Sequence, residues 1–238
     1  MSLPVDRNGH RSRANILPTS PVAVVQVHWE THEVDNSAPD GNSLTLQTYE
    51  VAAKEYARRN RETGAWSEVV QLIDESAALL PKGATVLEIG SGAGTEADVL
   101  ESRGLRVQRT DATRAFVEIV RALGHDARLL NVVTDDLGGP WDCVFANAVF
   151  LHLSREQFRD VLVKTSLSVR REGRLVFTLK EGDGAEWSLR RFNLPRHFTY
   201  WREESLRPYI ADSPWELVSL RRVESELDDW LFCICRLR

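Results

Sequence analysis

Apolar and polar positions along this chain follow two periods, and the order in which the periods appear predicts an α/β fold. From residue 44 onward, Leu46, Tyr49, Ala53, Tyr56 and Ala57 recur at three- and four-residue steps, the face of a helix that ends before Gly64. A second amphipathic helix is predicted over residues 66–80, with Val69, Val70, Ile73, Ala77 and Leu80 on one side and Pro81 as its stop. The period then changes. Val86, Leu87 and Ile89 form a short, mostly β-branched apolar run that breaks off at Gly90, Gly92 and Gly94, as a buried parallel strand does when it enters a turn. Helices over 96–103 and 114–123 alternate with strands over 105–110 and 127–130. A strand over 142–146 leads to Ser154 and Gln157, spaced as a capping box, and to a helix with Phe158, Val161, Leu162 and Thr165 on its buried stripe. Strands over 174–179, 215–220 and 230–235 and a helix over 203–210 complete the pattern. Strands alternating with helices imply a mostly parallel sheet covered on both faces.

Composition narrows the class of protein. The chain has 238 residues, 42% hydrophobic and 27% charged, which suits one α/β domain with an appendage. A formal charge of -5 argues against a general nucleic-acid binder, which needs excess Lys and Arg. No run approaches the roughly twenty apolar residues of a membrane span and the first thirty residues have no signal-peptide core, so a cytoplasmic protein, monomeric or homodimeric, is expected. Cys143, Cys233 and Cys235 all sit in apolar runs, an odd count without a C-x-x-C pair, and are expected as buried reduced thiols with no metal site. Residues 1–43, with scattered prolines and no sustained period, read as an extended or partly disordered leader. Residues 22–29 have strand character within it, and His10, His28 and His32 show no metal-ligand spacing.

The glycine turn carries the chemistry. A dinucleotide site wants G-x-G-x-x-G, yet counting from Gly90 the third glycine position falls on Thr95, and an acid, Glu88, stands two residues before the first glycine. A carboxylate there is poorly placed beside a pyrophosphate and well placed beside a cation. The stretch E-x-G-x-G-x-G resembles motif I of the class I S-adenosylmethionine-dependent methyltransferases. That resemblance implies a single Rossmann-like domain over 82–238, with a seven-stranded, mostly parallel sheet carrying one antiparallel strand, helices on both faces, and a helical lid over 44–81. It also implies S-adenosylmethionine as cofactor, with Glu88, Gly90, Gly92 and Gly94 around its methionine and ribose portion. Asp111, at the end of the second strand and about twenty residues past the first glycine, is placed to accept both ribose hydroxyls, next to Ala112. Capping the following helix is the other use for Asp111, and Thr113 can take that task equally well. Asn131 and Val132 border adenine in the family's pattern, although the family commonly has an acid where Asn131 stands, and Asp135 and Asp136 are rivals. Asn147 and Ala148 resemble motif IV, beside the methionine moiety, and Tyr56 belongs to the lid.

The acceptor side is read from two stretches. His152, just past the fourth strand, is the first candidate base and Glu181 the second; a neutral nitrogen acceptor needs neither. Tyr49 on the lid and the run of arginines and aromatics containing Trp187, Arg191, Tyr200 and Trp201 are candidate substrate contacts. Methyl transfer to N or O of a small organic molecule, such as a secondary metabolite, is the expected reaction. Two alternatives stand beside it. The arginines suit tRNA, and a methyltransferase-like domain can bind cofactor or a partner without turnover.

Overall fold

The computed structural model describes residues 41–238; the expected strand over 22–29 and His10, His28 and His32 lie outside the described residues. Helix α1 (Gly41–Thr63) and helix α2 (Ser67–Ala77) precede β1 (Thr85–Ile89). Then come α3 (Thr95–Ser102), β2 (Arg106–Asp111), α4 (Arg114–Ala122), β3 (Ala127–Leu129) and β4 (Trp141–Ala146). A single 3-10 turn at Phe150–His152 leads into α5 (Arg155–Ser168) and β5 (Val169–Lys180). A hairpin of β6 (Ala185–Ser188) and β7 (Arg196–Thr199), helix α6 (Glu203–Ala211), β8 (Trp215–Val223) and β9 (Trp230–Leu237) finish the chain.

Seven strands form one sheet in the order β3-β2-β1-β4-β5-β9-β8. Every neighbour pair from β3 to β5 is parallel, and β9 runs antiparallel to both β5 and β8. The expected sheet, with one antiparallel strand, is therefore present. Successive residues of β1 point to opposite faces, so Val86 packs with Leu72, Ile73 and Phe232 on one side while Leu87 and Ile89 pack with Phe158, Leu162 and Phe177 on the other. Strand segments buried on both faces are mostly apolar, so 86–89 is interrupted only by Glu88, 143–146 not at all, and 175–179 only by Thr178. Chain order reverses where β1 lies between β2 and β4, and that opens a crevice at the carboxyl edge of the sheet.

Some boundaries differ from the sequence reading. Helix α2 stops at Ala77 and buries Val69, Leu72, Ile73 and Ser76, so its inward face is rotated from the expected stripe. The run of arginines and aromatics read as candidate substrate contacts folds in part as the separate β6–β7 hairpin, paired from Ala185 with Thr199 to Ser188 with Arg196. Its anchor is α1: Thr45 Oγ1 accepts the His197 amide at 2.9 Å and Thr48 donates to the Pro195 carbonyl. Helix α1 also binds α4, because the Glu50 carboxylate accepts the Arg114 and Ala115 amides at 2.8 and 2.9 Å and so caps a helix whose own N-cap residue, Thr113, makes no side-chain cap. All three cysteines are free and buried. Among the described residues no helix is long and apolar enough to cross a membrane.

Two outcomes follow from these contacts. The Ser154–Gln157 capping box opens α5, so Ser154→Ala is expected to cost about 1 kcal/mol and to lower the thermal midpoint by about 2–4 °C, as read by calorimetry. The second concerns Glu88, the one carboxyl in β1, which is 2% exposed. Burial, only partly offset by the Ser91 hydroxyl, pushes its pKa up to about 8. The folded state therefore prefers the protonated acid, and stability falls as pH rises from the unfolded value of about 4.3 to about 8. Glu88→Gln removes that loss, so the thermal midpoint of variant minus parent, measured without ligand, should grow between pH 5 and pH 8.

Candidate functional site

The crevice is built on a turn that only glycine can make. Gly90 has φ +74°, and a Cβ at that position would stand 2.4 Å from Val149 Cγ2. Gly92 has φ +52°, and a Cβ there would stand 3.6 Å from Tyr56 Cε1. Gly94 has φ +80° and precedes α3, but it faces Val120, Arg109 and Arg61, behind the crevice. The turn is tied down from β2. The Ser91 amide donates to the Thr110 carbonyl at 2.8 Å, and the Ser91 hydroxyl, which donates to Glu88, accepts the Thr110 amide at 3.1 Å.

Asp111 joins this turn to the next. Its Oδ2 accepts the Gly92 amide at 2.9 Å and its Oδ1 the Thr113 amide at 2.8 Å. Neither bond exhausts the oxygens, since each carboxylate oxygen has two lone pairs. Burial, opposed by these two amides, raises its pKa to about 6. Thr113 holds the N-cap position without a side-chain cap and Asp111 reaches only the Thr113 amide, so neither residue caps this helix; its first amides go to Glu50.

Three carboxyls thus converge on bare glycine backbone: Asp111 on one side, and Glu88 and Glu96 on the other. Glu96 Oε1 accepts from Asn147 Nδ2 at 3.1 Å, whose Oδ1 in turn accepts from Thr178. An anion at the start of α3 would meet Glu96 and Asp98 in its first turn. The donor set fits a cation with hydroxyls and rejects a pyrophosphate.

From this edge a cavity of about 700 Å³ runs past Asp111, Ala112, Phe116, Asn131, Val132 and Ala148 under α1. Asn131 lines it with both amide atoms engaged: Oδ1 accepts the Val133 amide and Nδ2 donates to Asn42. Asp135 and Asp136 line a different groove. A second cavity, about 640 Å³, lies under the β6–β7 hairpin and shares Tyr49, Tyr56, Ala148 and His152 with the first.

Those shared residues form a fixed relay. His152 Nδ1 lies 2.7 Å from the His197 carbonyl, so it must carry the proton and donate. Nε2 is then an acceptor, and it takes the Tyr49 hydroxyl at 3.0 Å. Burial holds His152 neutral, its pKa depressed to about 3, and raises that of Tyr49. Tyr49 O accepts from Arg196 Nη1 at 3.3 Å. Tyr49, Tyr56, Phe116 and Phe192 complete an aromatic roof over the junction, with ring centroids 5.4–6.4 Å apart.

The structure brings Tyr49, Tyr56, Glu88, Gly90, Gly92, Asp111, Ala112, Asn131, Val132, Asn147, Ala148, His152 and Arg191 to these cavities. It does not bring five others. Glu181 lines neither cavity and is held, largely covered, in ion pairs with Arg202 and Arg222. Trp201 is wholly buried against Phe158 and Tyr209, beneath the Arg155 guanidinium at 4.0 Å. Trp187 is exposed on one face of the hairpin against His197, and Tyr200 bonds Glu186 on the other. Gly94 is the fifth. In an antiparallel hairpin alternate residues face opposite sides, and the sequence carried no register with which to sort them. Sequence reasoning also missed Glu96, Asn42, Thr45 and Lys180. Two threonines at helical spacing on α1, Thr45 and Thr48, were the available signal. Among the described residues one acid–histidine cluster has metal-like spacing, Asp98, Glu101 and His125; the buried guanidinium of Arg109 already binds both acids.

A family model described as a methyltransferase domain matches residues 87–177, from β1 through most of β5. No curated protein matches the chain in sequence. Among solved structures, magnesium protoporphyrin IX methyltransferase from Synechocystis PCC 6803, with SAM bound, is similar at 16% identity and TM-score 0.65, over 86% of this chain and all of the other. The 1,6-didemethyltoxoflavin-N1-methyltransferase of Burkholderia thailandensis gives 17% and 0.62, over 86% and 93%. DhpI in complex with SAH gives 18% and 0.66, over 82% and 96%. At these identities the likeness is one of fold. Residues 87–177 thus match a methyltransferase domain, and the glycine–carboxylate turn at its start stands in a fold shared with S-adenosylmethionine-dependent methyltransferases.

Proposed function

We propose that this methyltransferase transfers its methyl group to an N or O atom of a small organic molecule held in the second cavity. The observation that carries the reading is the junction: the carboxylate-lined cavity and the hairpin cavity meet at Tyr49, Tyr56, Ala148 and His152, beneath α1. In this reading Asp111 and Ala112 hold the ribose, Asn131 and Val132 the adenine, and Glu88, Gly90, Gly92, Asn147 and Ala148 the methionine end. When bound, S-adenosylmethionine supplies a methyl on sulfonium; the acceptor's lone pair forms the new bond and sulfur keeps the old pair. The chain's own residues orient the two reactants and keep water out, which is the larger part of such catalysis. His152 has both ring nitrogens engaged inside the protein. It therefore positions the Tyr49 hydroxyl, and Tyr49 is the polar group at the acceptor's side of the junction.

The arginine stretch offers less free charge to tRNA than its composition suggests. Arg196 is buried, and Arg202 and Arg207 are paired with Asp183 and Glu203. A domain that binds without turnover remains distinguishable by a labelled-methyl assay, which would then find transfer to no component of a metabolite extract.

Calorimetric titration tests the cofactor site. SAM and SAH should bind and NADH should not. Asp111→Asn removes a charged acceptor worth about 1.5–3 kcal/mol, so it should weaken SAM binding about 10- to 100-fold. No binding of either ligand to the parent protein would remove the reading. A second expectation is pH dependence. Protonation of Asp111 removes lone pairs the ribose needs, so parent affinity should fall as pH drops through about 6. The Asn variant should lose that fall while keeping any dependence due to Glu88 near pH 8.

A further inference from the structure

The second cavity has a charge that no carboxylate among the described residues pairs with. Arg196, on β7, is 6% exposed, and among the described residues no carboxylate lies within ion-pair distance of it. Its polar contacts are neutral: Nη2 donates to the Arg190 carbonyl at 2.7 Å and Nη1 to the Tyr49 hydroxyl, while Nε has no partner. The faces of Phe192 and Phe198, each 5.0 Å from the guanidinium carbon, offset part of the desolvation. A buried cation is ordinarily paired with an anion. Around the same cavity stand Lys180, Arg190 and Arg191, against the single carboxylate of Asp228. Asp228 is already shared between Lys180 at 3.0 Å and Arg190 at 3.4 Å. Arg191, held at φ +80° in the hairpin loop, makes no hydrogen bond or ion pair among the described residues. This excess of cations sits in a chain whose formal charge is -5. It is local to the pocket.

We propose that the acceptor substrate is a small organic anion, a carboxylate or a phosphate or phosphonate, whose charged group is held by Arg196 with Lys180 and Arg191 around it. The proposal rests on the reading of this cavity as the acceptor site. A guanidinium suits both oxyanions because its planar donors match two oxygens at once. The remaining walls, Leu151, Phe198, Leu227 and Trp230, are apolar and take the organic part. Arg196 and His152 meet at the same Tyr49 hydroxyl. The anion is thereby held one side chain from the junction where transfer occurs, which limits the acceptor to a short molecule. Methyl transfer stays balanced: the acceptor atom forms the new C–O or C–N bond, sulfur keeps the old electron pair, and any proton on the acceptor leaves to solvent.

The test uses the full chain saturated with SAH for binding and with labelled SAM for transfer. The probes are inorganic phosphate, methylphosphonate, and a set of aliphatic and aromatic carboxylic and phosphonic acids, each beside its amide or ester. Acids should raise the thermal midpoint of the SAH complex and accept label, their neutral partners should do neither, and the carboxylate and phosphonate arms tell which oxyanion is used. Arg196→Lys should raise the KM of an accepted acid tenfold or more while SAH affinity stays unchanged. Arg191→Ala, on an exposed loop residue, should raise KM in the same direction without loss of fold. Neutral partners accepted as well as acids, or no acid bound at all, would overturn the proposal. So would an Arg196→Lys protein that keeps its KM and loses only stability, because Arg196 would then be a structural pin. Failure of the cofactor site is separate, since it appears as loss of SAH binding in the parent protein.

Discussion

The described structure depends on one carboxylate. Asp111 ends β2, and by accepting the Gly92 and Thr113 amides it welds the turn after β1 to the turn after β2. Those amides belong to segments that cannot pair within a helix or strand, and buried amides need partners. A ligandless turn with three left-handed glycines would otherwise have many conformations to lose on folding. With Asp111 in place, Gly90 can sit against Val149, Ser91 can bridge Glu88 to Thr110, and the carboxyl edge becomes a rigid floor. Helix α1 then closes the roof with its own carboxylate, Glu50, on the start of α4. Two acids from distant parts of the chain therefore accept the amides that the turn residues themselves leave open.

Charge is sorted along the crevice. Carboxyls gather at the ends of β1 and β2 and the start of α3, and cations gather beneath the hairpin; Tyr49 and His152 stand between them. The sorting is stable because the two sets do not pair with each other. Glu88 avoids ionisation by burial, whereas Arg196 cannot avoid it at all, since a guanidinium keeps its proton throughout the accessible pH range. The acid end can therefore relax without a ligand, and the basic end cannot. Aromatic faces around Arg196 lessen that cost without removing it.

How much of this was legible in the sequence follows from how local each signal is. Residues 86–94 could be read because strand, turn and acid are contiguous, and Asp111 because its distance from Gly90 is set by one helix and one strand of ordinary length. The Ser154–Gln157 box needs four residues and was equally plain. The hairpin was not. Its two strands have four residues each, the alternation of arginine with aromatic residues has no strict period, and which side faces the cavity depends on α1, more than a hundred residues away. Trp201 and Arg196 looked alike as members of one run. In the structure Trp201 fills the core beneath α5 and Arg196 faces the cavity, because Trp201 lies just past the strand, where the chain turns toward α6.

Glu181 and His152 show the same limit at the level of chemistry. Both stand at the carboxyl ends of neighbouring strands, where sequence position gives them equal claim to the site. β5 ends at Lys180, and the next residue turns toward Arg202 and Arg222, so Glu181 is spent on joining the start of α6 to β8. His152 follows a 3-10 turn that carries it back inward, beneath Tyr49. Position past a strand thus selects the neighbourhood, and the next turn selects which side chain enters it. A histidine whose proton is fixed by a backbone carbonyl and whose lone pair is filled by a tyrosine has one geometry available. That fixed geometry places the Tyr49 hydroxyl between the acidic and the basic halves of the crevice.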